Sequence, residues 1–280
     1  MDHKEFTLKS TDELALYGQS WTPEEAPEGV IALVHGFGEH SSRYKHWAER
    51  FVSKHFALIS FDLRGHGNSE GKQGHTPSYE RLMNDIDVFL YRVRNYFPGV
   101  PLFLYGHSMG GNLVLNYAID RNPEVSGVIA TGPWLRLKKE LPGIVRAPVE
   151  VLQWFLPGLV IPSGLDTDGL SRDKTVVKAY DEDPLVHGMI SLKMFFSIRN
   201  SGIRAIKEAA GIKCPLLVVH GADDPICDPD ASQQLIENAR GDKTLKLWKG
   251  LFHEVHNEPE KDEVFDFIFG WIKEHMPAKS

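Results

Sequence analysis

The sequence predicts an α/β fold in which a mostly parallel sheet of about eight strands is covered by helices on both faces. The main observation is an alternation of short apolar, β-branched runs with longer segments whose apolar residues recur three and four positions apart. A second is that 280 residues can bury a large core. A third is that 42% hydrophobic and 25% charged residues are ordinary for a globular protein. We therefore expect one large domain with an insertion.

Six segments have the composition of buried parallel strands: residues 30–34, 56–61, 102–105, 127–131, 216–219 and 244–248. Five have the apolar spacing of amphipathic helices: residues 44–55, 79–97, 112–122, 229–239 and 261–275. Their alternation predicts a parallel sheet. Two further segments, 6–8 and 14–21, favour an antiparallel hairpin at one edge, which brings the strand count to about eight.

The alternation stops between residues 133 and 212. This stretch is rich in proline and glycine and lacks the runs of buried strands. Its first half is strongly apolar, whereas residues 166–183 are charged. We predict a core formed by residues 1–132 and 213–280, with residues 133–212 inserted as a helical lid over the site.

Charge and cysteine content exclude several classes of protein. A net charge of −7 argues against a nucleic-acid partner, because phosphate binding needs a basic surface. No apolar stretch has the roughly 18 residues of a membrane span, and no secretory signal is evident. Cys214 and Cys227 are too few for a disulfide scaffold, so we expect reduced thiols in a cytoplasmic protein, a single bridge being the alternative. No metal or cofactor is indicated, and the oligomeric state is left open.

One motif predicts nucleophilic catalysis. Gly106-His107-Ser108-Met109-Gly110 follows the strand-like residues 102–105 and precedes a helical segment. A G-x-S-x-G sequence between strand and helix is typical of a nucleophile elbow, where a strained turn presents the serine hydroxyl. The flanking positions are glycine because side chains there would collide with the strand or the helix.

A serine hydroxyl needs a base and a group that orients the base. In this fold class the order along the chain is serine, acid, histidine, so the base should follow the last strands. His253, in the loop after residues 244–248, fits best, with His256 as its rival. His220 at a strand end and His275 in the final helix are less suitable.

The orienting acid is expected after strand 216–219, where Asp223 and Asp224 are adjacent. Asp224 is favoured because Pro225 biases it toward an extended conformation that can carry its side chain back to the site. Spacing alone does not separate the two carboxylates.

The oxyanion of an acyl-transfer intermediate needs two backbone N–H donors. Met109 follows the nucleophile at a helix N-terminus, where the helix dipole also favours negative charge. The second donor is expected in the turn after strand 30–34, at Phe37.

Two other charged segments are interpreted as structural. In the turn after residues 56–61, Asp62 and Arg64 are expected to pair with each other. Asp85 and Asp87 are interpreted as a solvated helix face.

The chain resembles the α/β-hydrolase superfamily and, within it, the monoacylglycerol lipase and lysophospholipase group of serine hydrolases. The residues that carry this resemblance are 35–44 (HGFGEHSSRY), 65–71 (GHGNSEG), 106–111 (GHSMGG), 170–173 (LSRD), 221–228 and 252–256. The resemblance implies Ser108, Asp224 and His253 as the catalytic triad. It also implies that Glu39, Arg43 and His107 form a polar pocket for a glycerol head group, the simpler alternative being a surface pair of Glu39 with Arg43.

The resemblance also places Cys227 near the triad aspartate. Phe37 stands where relatives can carry a smaller residue, a change that leaves the backbone donor in place.

The expected function is hydrolysis of lipid esters, with monoacylglycerol as the preferred substrate. Lysophospholipase and general carboxylesterase activities are the alternatives. A peptidase is less favoured because the lid offers no evident acidic anchor, and a non-catalytic binding protein would be expected to lack a triad member. The apolar half of the lid suits a fatty acyl chain and transient contact with a membrane or micelle.

Overall fold

The structure, a computed structural model, describes residues 1–140 and 142–278. Leu141 of the predicted lid and residues 279–280 of the predicted core lie outside the described residues. The strands are β1 (Asp2–Lys9), β2 (Ala15–Thr22), β3 (Gly29–Val34), β4 (Phe56–Phe61), β5 (Leu102–His107), β6 (Gly127–Thr131), β7 (Val160–Pro162), β8 (Met189–Ser191), β9 (Leu216–Gly221) and β10 (Lys243–Trp248).

Eight of these strands form one sheet in the order β1-β2-β4-β3-β5-β6-β9-β10. Strand β2 is antiparallel to both of its neighbours, and the other pairs are parallel. The predicted α/β fold with an edge hairpin is confirmed. Every residue of β3, β4, β5, β6 and β9 is buried, as expected for parallel strands covered on both faces.

Helices cover both faces of the sheet. They are α1 (Lys45–Ser53), α2 (Tyr79–Tyr96), α3 (Met109–Arg121), α4 (Gly143–Phe155), α5 (Lys174–Asp181), α6 (Leu192–Glu208), α7 (Pro229–Asn238) and α8 (Lys261–Glu274). Alternate residues of β3 point to opposite faces. Ile31 and Leu33 pack with side chains of α1 and α8, whereas Val30 and Ala32 pack with those of α2, α3 and α7.

Between β6 and β9 the chain leaves the sheet and forms α4, β7, α5, β8 and α6. Strands β7 and β8 pair in a small antiparallel sheet. The 17-residue helix α6 was not expected as one element, and it contributes Met194, Ile198 and Ala205 to the core on the α3 side. Helix α4, in contrast, carries exposed apolar side chains.

The expected pairing of Asp62 with Arg64 is wrong. Asp62 Oδ1 accepts hydrogen bonds from the backbone N–H and hydroxyl of Ser41, at 2.8 and 2.6 Å. Arg64 donates instead to Asp85, from Nε to Oδ2 at 2.6 Å and from Nη2 to Oδ1 at 2.8 Å. Asp85 is therefore fully buried and not part of a solvated face. The alternating charge along α2 predicted that Asp85 is exposed. That local pattern does not reveal that Asp85 pairs with Arg64, which lies 21 residues earlier in the chain.

Removing the Asp85 carboxylate should destabilise the protein strongly. In Asp85→Ala the buried Arg64 loses its principal partner, and breaking a buried ion pair costs about 3 kcal/mol or more. Asp87→Ala on the same helix is the control; its half-exposed carboxylate should contribute at most about 1 kcal/mol. Urea unfolding of both variants measures the difference, and similar free energies of unfolding would contradict a structural role for the Arg64–Asp85 pair.

Candidate active site

Ser108 lies in a sharp turn between β5 and α3. Its backbone has φ +52° and ψ −114°, which is a strained conformation for a residue with a side chain. The glycines on either side are required by close packing. A Cβ at Gly106 would lie 2.3 Å from the carbonyl oxygen of Gly110, and a Cβ at Gly110 would lie 2.1 Å from that of Val34. The local sequence thus has the geometry of a nucleophile elbow.

The structure brings together the three residues that the sequence predicted as a triad. His253 Nε2 lies 2.9 Å from Ser108 Oγ, and His253 Nδ1 lies 2.7 Å from Asp224 Oδ2. Asp224 follows β9 and His253 follows β10, so all three are at the carboxyl edge of the sheet. Asp223, which spacing could not separate from Asp224, is exposed.

The hydrogen-bonded series Ser108–His253–Asp224 is called the relay below. Its surroundings keep Asp224 ionised next to the imidazole of His253. Burial opposes ionisation of Asp224, but the charge of His253 and hydrogen bonds from His220 and His253 hold its pKa well below the usual range. Burial also lowers the pKa of His253, but the Asp224 carboxylate outweighs it and raises that pKa above its ordinary value. Because Nδ1–H donates to Asp224, Nε2 is left to accept the proton of Ser108.

His256, the rival base, lies elsewhere. Its ring stacks on Tyr44 at 4.9 Å and packs edge-on against His107 at 4.7 Å. Burial lowers its pKa well below the ordinary value. Among the described residues, no hydrogen bond links its ring to Ser108 or Asp224.

The predicted oxyanion donors are Met109, which follows Ser108 in the chain, and Phe37, in the turn after β3. Met109 is the first residue of α3, so its N–H has no partner within the helix. Phe37 follows β3 and lines the same cavity as Ser108. The distances from these N–H groups to an oxyanion depend on a bound substrate, so their role stays a prediction.

The turn that holds Phe37 is fixed by hydrogen bonds. The Gly36 N–H donates to Glu39 Oε1 at 2.6 Å, and the His187 N–H donates to the Gly38 carbonyl at 2.9 Å. His35 Nε2 accepts from the Leu63 N–H at 2.9 Å, so its Nδ1–H donates to the Gly36 carbonyl at 2.7 Å. The backbone on both sides of Phe37 is thereby held in one position.

Glu39 and Arg43 pair, but not at the surface. Arg43 donates to Glu39 at 2.5 Å and forms two hydrogen bonds with Glu254, at 2.7 and 2.9 Å. Both carboxylates are buried. Burial raises the pKa of Glu254, but Arg43 outweighs it and holds that pKa well below the usual range. Sequence reasoning missed Glu254, because nothing in the chain links it to an arginine 211 residues earlier.

His107 is held neutral beside the relay. Its Nδ1–H donates to the Thr131 carbonyl at 3.1 Å, and its ring centroid lies 4.9 Å from that of His253. Burial, reinforced by the charge of His253, lowers the pKa of His107 to about 3. His107 therefore adds a polar wall but no charge near pH 7.

The relay opens into a cavity of about 250 Å³ whose lining is of two kinds. Its polar and charged lining residues include Glu39, His107, Ser108, His253 and Glu254. Its apolar lining residues include Trp134, Leu137, Leu165, Ile190, Phe195 and Ile226. Such a cavity suits a ligand with a compact polar group and an apolar chain.

Asp224, Cys227 and His253 are the one group of potential metal ligands found in the described part of the chain, with ligand atoms within 4.8 Å of one another. Asp224 and His253 are already hydrogen-bonded to each other. Burial raises the pKa of the Cys227 thiol well above its ordinary value, which disfavours the thiolate that a metal prefers. These residues fit proton transfer better than metal binding.

Comparison with known proteins gives consistent results. The family model described as "Serine aminopeptidase, S33" matches residues 25–260. The chain is 36% identical to the monoacylglycerol lipase of Mycolicibacterium smegmatis, over 91% of this chain and 92% of that protein. It is 38% identical to an uncharacterized abhydrolase domain-containing protein of Dictyostelium discoideum, of which it spans 29%. The crystal structure of a Paleococcus ferrophilus monoacylglycerol lipase matches with a TM-score of 0.85 and 40% identity, covering 93% of this chain and 99% of that one.

The pH dependence of activity should report the His253–Asp224 pair. Ester hydrolysis should fall as the pH drops through the pKa of His253, which the Asp224 carboxylate raises above its ordinary value, because only the unprotonated imidazole accepts a proton. Asp224→Asn should move this acidic limb to lower pH and reduce kcat by about 10⁴-fold, the loss measured for the equivalent change in a serine protease. The measurement is kcat/KM for a 4-nitrophenyl ester from pH 5 to 9.

Asp223→Asn is the matched control, since this neighbour is exposed. It should leave both rate and profile unchanged. A flat wild-type profile from pH 5 to 8, or equal losses in the two variants, would contradict the assignment of base and acid.

Proposed function

Because the chain belongs to the α/β-hydrolase superfamily and to its monoacylglycerol lipase group, we propose that it hydrolyses monoacylglycerols to a free fatty acid and glycerol. It is a carboxylic ester hydrolase that acts on small-molecule lipid esters. The observation that carries the proposal is the hydrogen-bonded series Ser108–His253–Asp224 beside a cavity with both polar and apolar lining residues.

In the first half of the proposed reaction, Ser108 Oγ attacks the ester carbonyl carbon while its proton passes to His253 Nε2. The carbonyl π electrons move to the oxygen, and the N–H groups of Phe37 and Met109 stabilise the oxyanion. Asp224 stabilises the imidazolium that forms. When the oxyanion collapses, the bond to the glycerol oxygen breaks and that oxygen takes the proton from His253, leaving an acyl-enzyme.

In the second half, water attacks the acyl carbon and gives a proton to His253. The second oxyanion collapses, the bond to Ser108 Oγ breaks, and His253 returns the proton to Ser108. The products are a fatty acid and the free enzyme, so no cofactor is needed.

The buried charges favour a neutral head group. Two carboxylates, Glu39 and Glu254, share the single cation Arg43, and His107 is neutral, so these groups carry a net charge of −1. A glycerol hydroxyl can donate to a carboxylate, whereas a phosphate would meet a buried negative charge. Monoacylglycerol is therefore preferred to lysophospholipid. Aminopeptidase activity is not favoured, because a substrate ammonium would have to compete with the buried guanidinium of Arg43 for these carboxylates, whereas a hydroxyl carries no like charge.

Helix α4 offers a surface for contact with lipid. Ile144, Val151 and Phe155 are 86%, 58% and 76% exposed, and their spacing of seven and four residues places them on one helix face. No helix of the described residues has the length and apolar character needed to cross a bilayer. We propose that this stripe lies in the interface of a membrane or micelle while substrate enters the cavity.

The first test combines a substrate panel with the nucleophile variant. The wild type should cleave a monoacylglycerol faster than a lysophosphatidylcholine or an aminoacyl-arylamide, for the reasons of charge given above. It should also cleave it faster than a triacylglycerol, because three acyl chains need more room than a cavity of about 250 Å³ offers. Ser108→Ala should lose fluorophosphonate labelling and nearly all turnover while keeping the wild-type circular dichroism spectrum. Retained labelling or turnover would refute the mechanism, and preference for lysophospholipid or arylamide would refute the substrate.

The second test concerns the α4 stripe. Val151→Ser with Phe155→Ser should weaken binding to neutral phosphatidylcholine vesicles by at least about tenfold, because two apolar side chains no longer leave water. Hydrolysis of a soluble 4-nitrophenyl ester should stay unchanged. The control is Tyr91→Ser on α2, a side chain that is 71% exposed. Equal vesicle binding by the three proteins in a flotation assay would rule out contact through α4.

A further inference from the structure

The Asp224 carboxylate accepts four hydrogen bonds, of which only one comes from His253. Oδ1 accepts from the backbone N–H groups of Ile226 and Cys227, at 2.7 and 3.0 Å. Oδ2 accepts from His253 Nδ1 at 2.7 Å and from a second imidazole, His220 Nε2, at 2.9 Å. The four donors leave the carboxylate little freedom to rotate.

His220 is itself held on both sides. It is the fifth residue of β9 and is fully buried. Its Nδ1 lies 2.7 Å from the hydroxyl of Ser232, a buried residue of α7. Because a carboxylate only accepts, the hydrogen bond to Asp224 requires a proton on Nε2 of His220. A series of hydrogen bonds therefore runs from Ser232 through His220, Asp224 and His253 to Ser108.

We propose that His220 is a positioning residue for the hydrolysis: it fixes the Asp224 carboxylate and withdraws part of its charge, and so sets the basicity of His253. This inference rests on the proposed function, because it acts on Ser108 only through Asp224 and His253. His220 contributes no atom to the reaction.

Two effects follow from sharing Oδ2 between two imidazoles. The first is geometric, since a carboxylate with a donor on each side keeps its lone pair aimed at His253 Nδ1. The second is electrostatic, since the hydrogen bond from His220 makes Oδ2 a weaker acceptor for the hydrogen bond from His253. Loss of His220 should therefore misalign the relay and also strengthen the stabilisation of protonated His253.

Other ionisable groups face the same pair and would remain in any His220 variant. They are Glu254 beside His253, Glu39 in the turn after β3, His107 at the end of β5, and Cys227 after β9. These groups remain when His220 is replaced. A shift of the acidic limb of the pH profile therefore reports the loss of the His220 imidazole.

The test compares His220→Ala with His220→Gln. In the alanine variant the Asp224 oxygen loses one buried donor, and we expect kcat for a 4-nitrophenyl ester to fall by about 10- to 100-fold with little change in KM. The acidic limb of kcat/KM should move to higher pH. Glutamine retains a side-chain N–H donor and an acceptor for Ser232, so it should restore most of the rate and the wild-type limb.

Two further variants separate positioning from packing. In an Asp224→Asn background, His220→Ala should cost much less than it does in the wild type, because its effect passes through the carboxylate. Ser232→Ala, which leaves the Nε2 donor in place but frees the ring, should have an intermediate effect on kcat. Thermal unfolding midpoints show whether each variant is folded.

An unchanged kcat and pH limb in folded His220→Ala would overturn the proposal. Equal losses in the alanine and glutamine variants without a shift of the limb would also overturn it, since they would indicate packing alone. Fluorophosphonate labelling of the wild type separates failure of the His220 proposal from failure of the proposed function. If the wild type is labelled and the His220 variants keep the wild-type kcat and pH limb, only the role of His220 is rejected.

Discussion

The strained backbone at Ser108 is the constraint on which the rest of the site depends. A left-handed φ at a residue with a side chain costs on the order of 1–2 kcal/mol, so the surrounding structure must hold it. The Ser108 N–H donates to the Thr131 carbonyl at 2.9 Å, and the Ser108 carbonyl accepts from the N–H groups of Asn112 and Trp134 at 3.0 and 2.9 Å. Helix α3 and the chain after β6 are therefore fixed by the same turn that presents Ser108, the proposed nucleophile. The other site residues are positioned relative to it.

Three buried carboxylates are stabilised in the same way. Asp224, Glu254 and Asp85 are all removed from water, and each receives hydrogen bonds from a cationic or imidazole partner that offset desolvation. At Asp85 this joins two structural elements. At Glu254 it orders part of the polar lining of the cavity, and at Asp224 it raises the pKa of His253, the proposed base. The chemistry of the site thus uses the same physical device as the core.

Local patterns in the sequence were sufficient for the fold and for the position of the elbow. A glycine pattern between a strand and a helix permits few conformations, and the order of acid and base follows from the order of the strands. Partners far apart in the chain were not visible. Arg43 meets Glu254 and Arg64 meets Asp85 only because the fold brings distant parts of the chain together. His220 was set aside as a strand-end residue for the same reason, since only the fold places its ring against Asp224.

The uneven composition of the chain between β6 and β9 has a structural explanation. The residues that follow α4 are tied to the loops of the site: His187 N–H donates to Gly38, Glu254 N–H donates to Leu170, and Arg172 of the charged half pairs with Glu258. These contacts hold the Phe37 turn and the His253 loop. The apolar half, α4, leaves large side chains in water. An exposed apolar stripe of this kind marks a surface that contacts a lipid or another protein. The proposed contact of α4 with lipid involves none of the residues that form these hydrogen bonds.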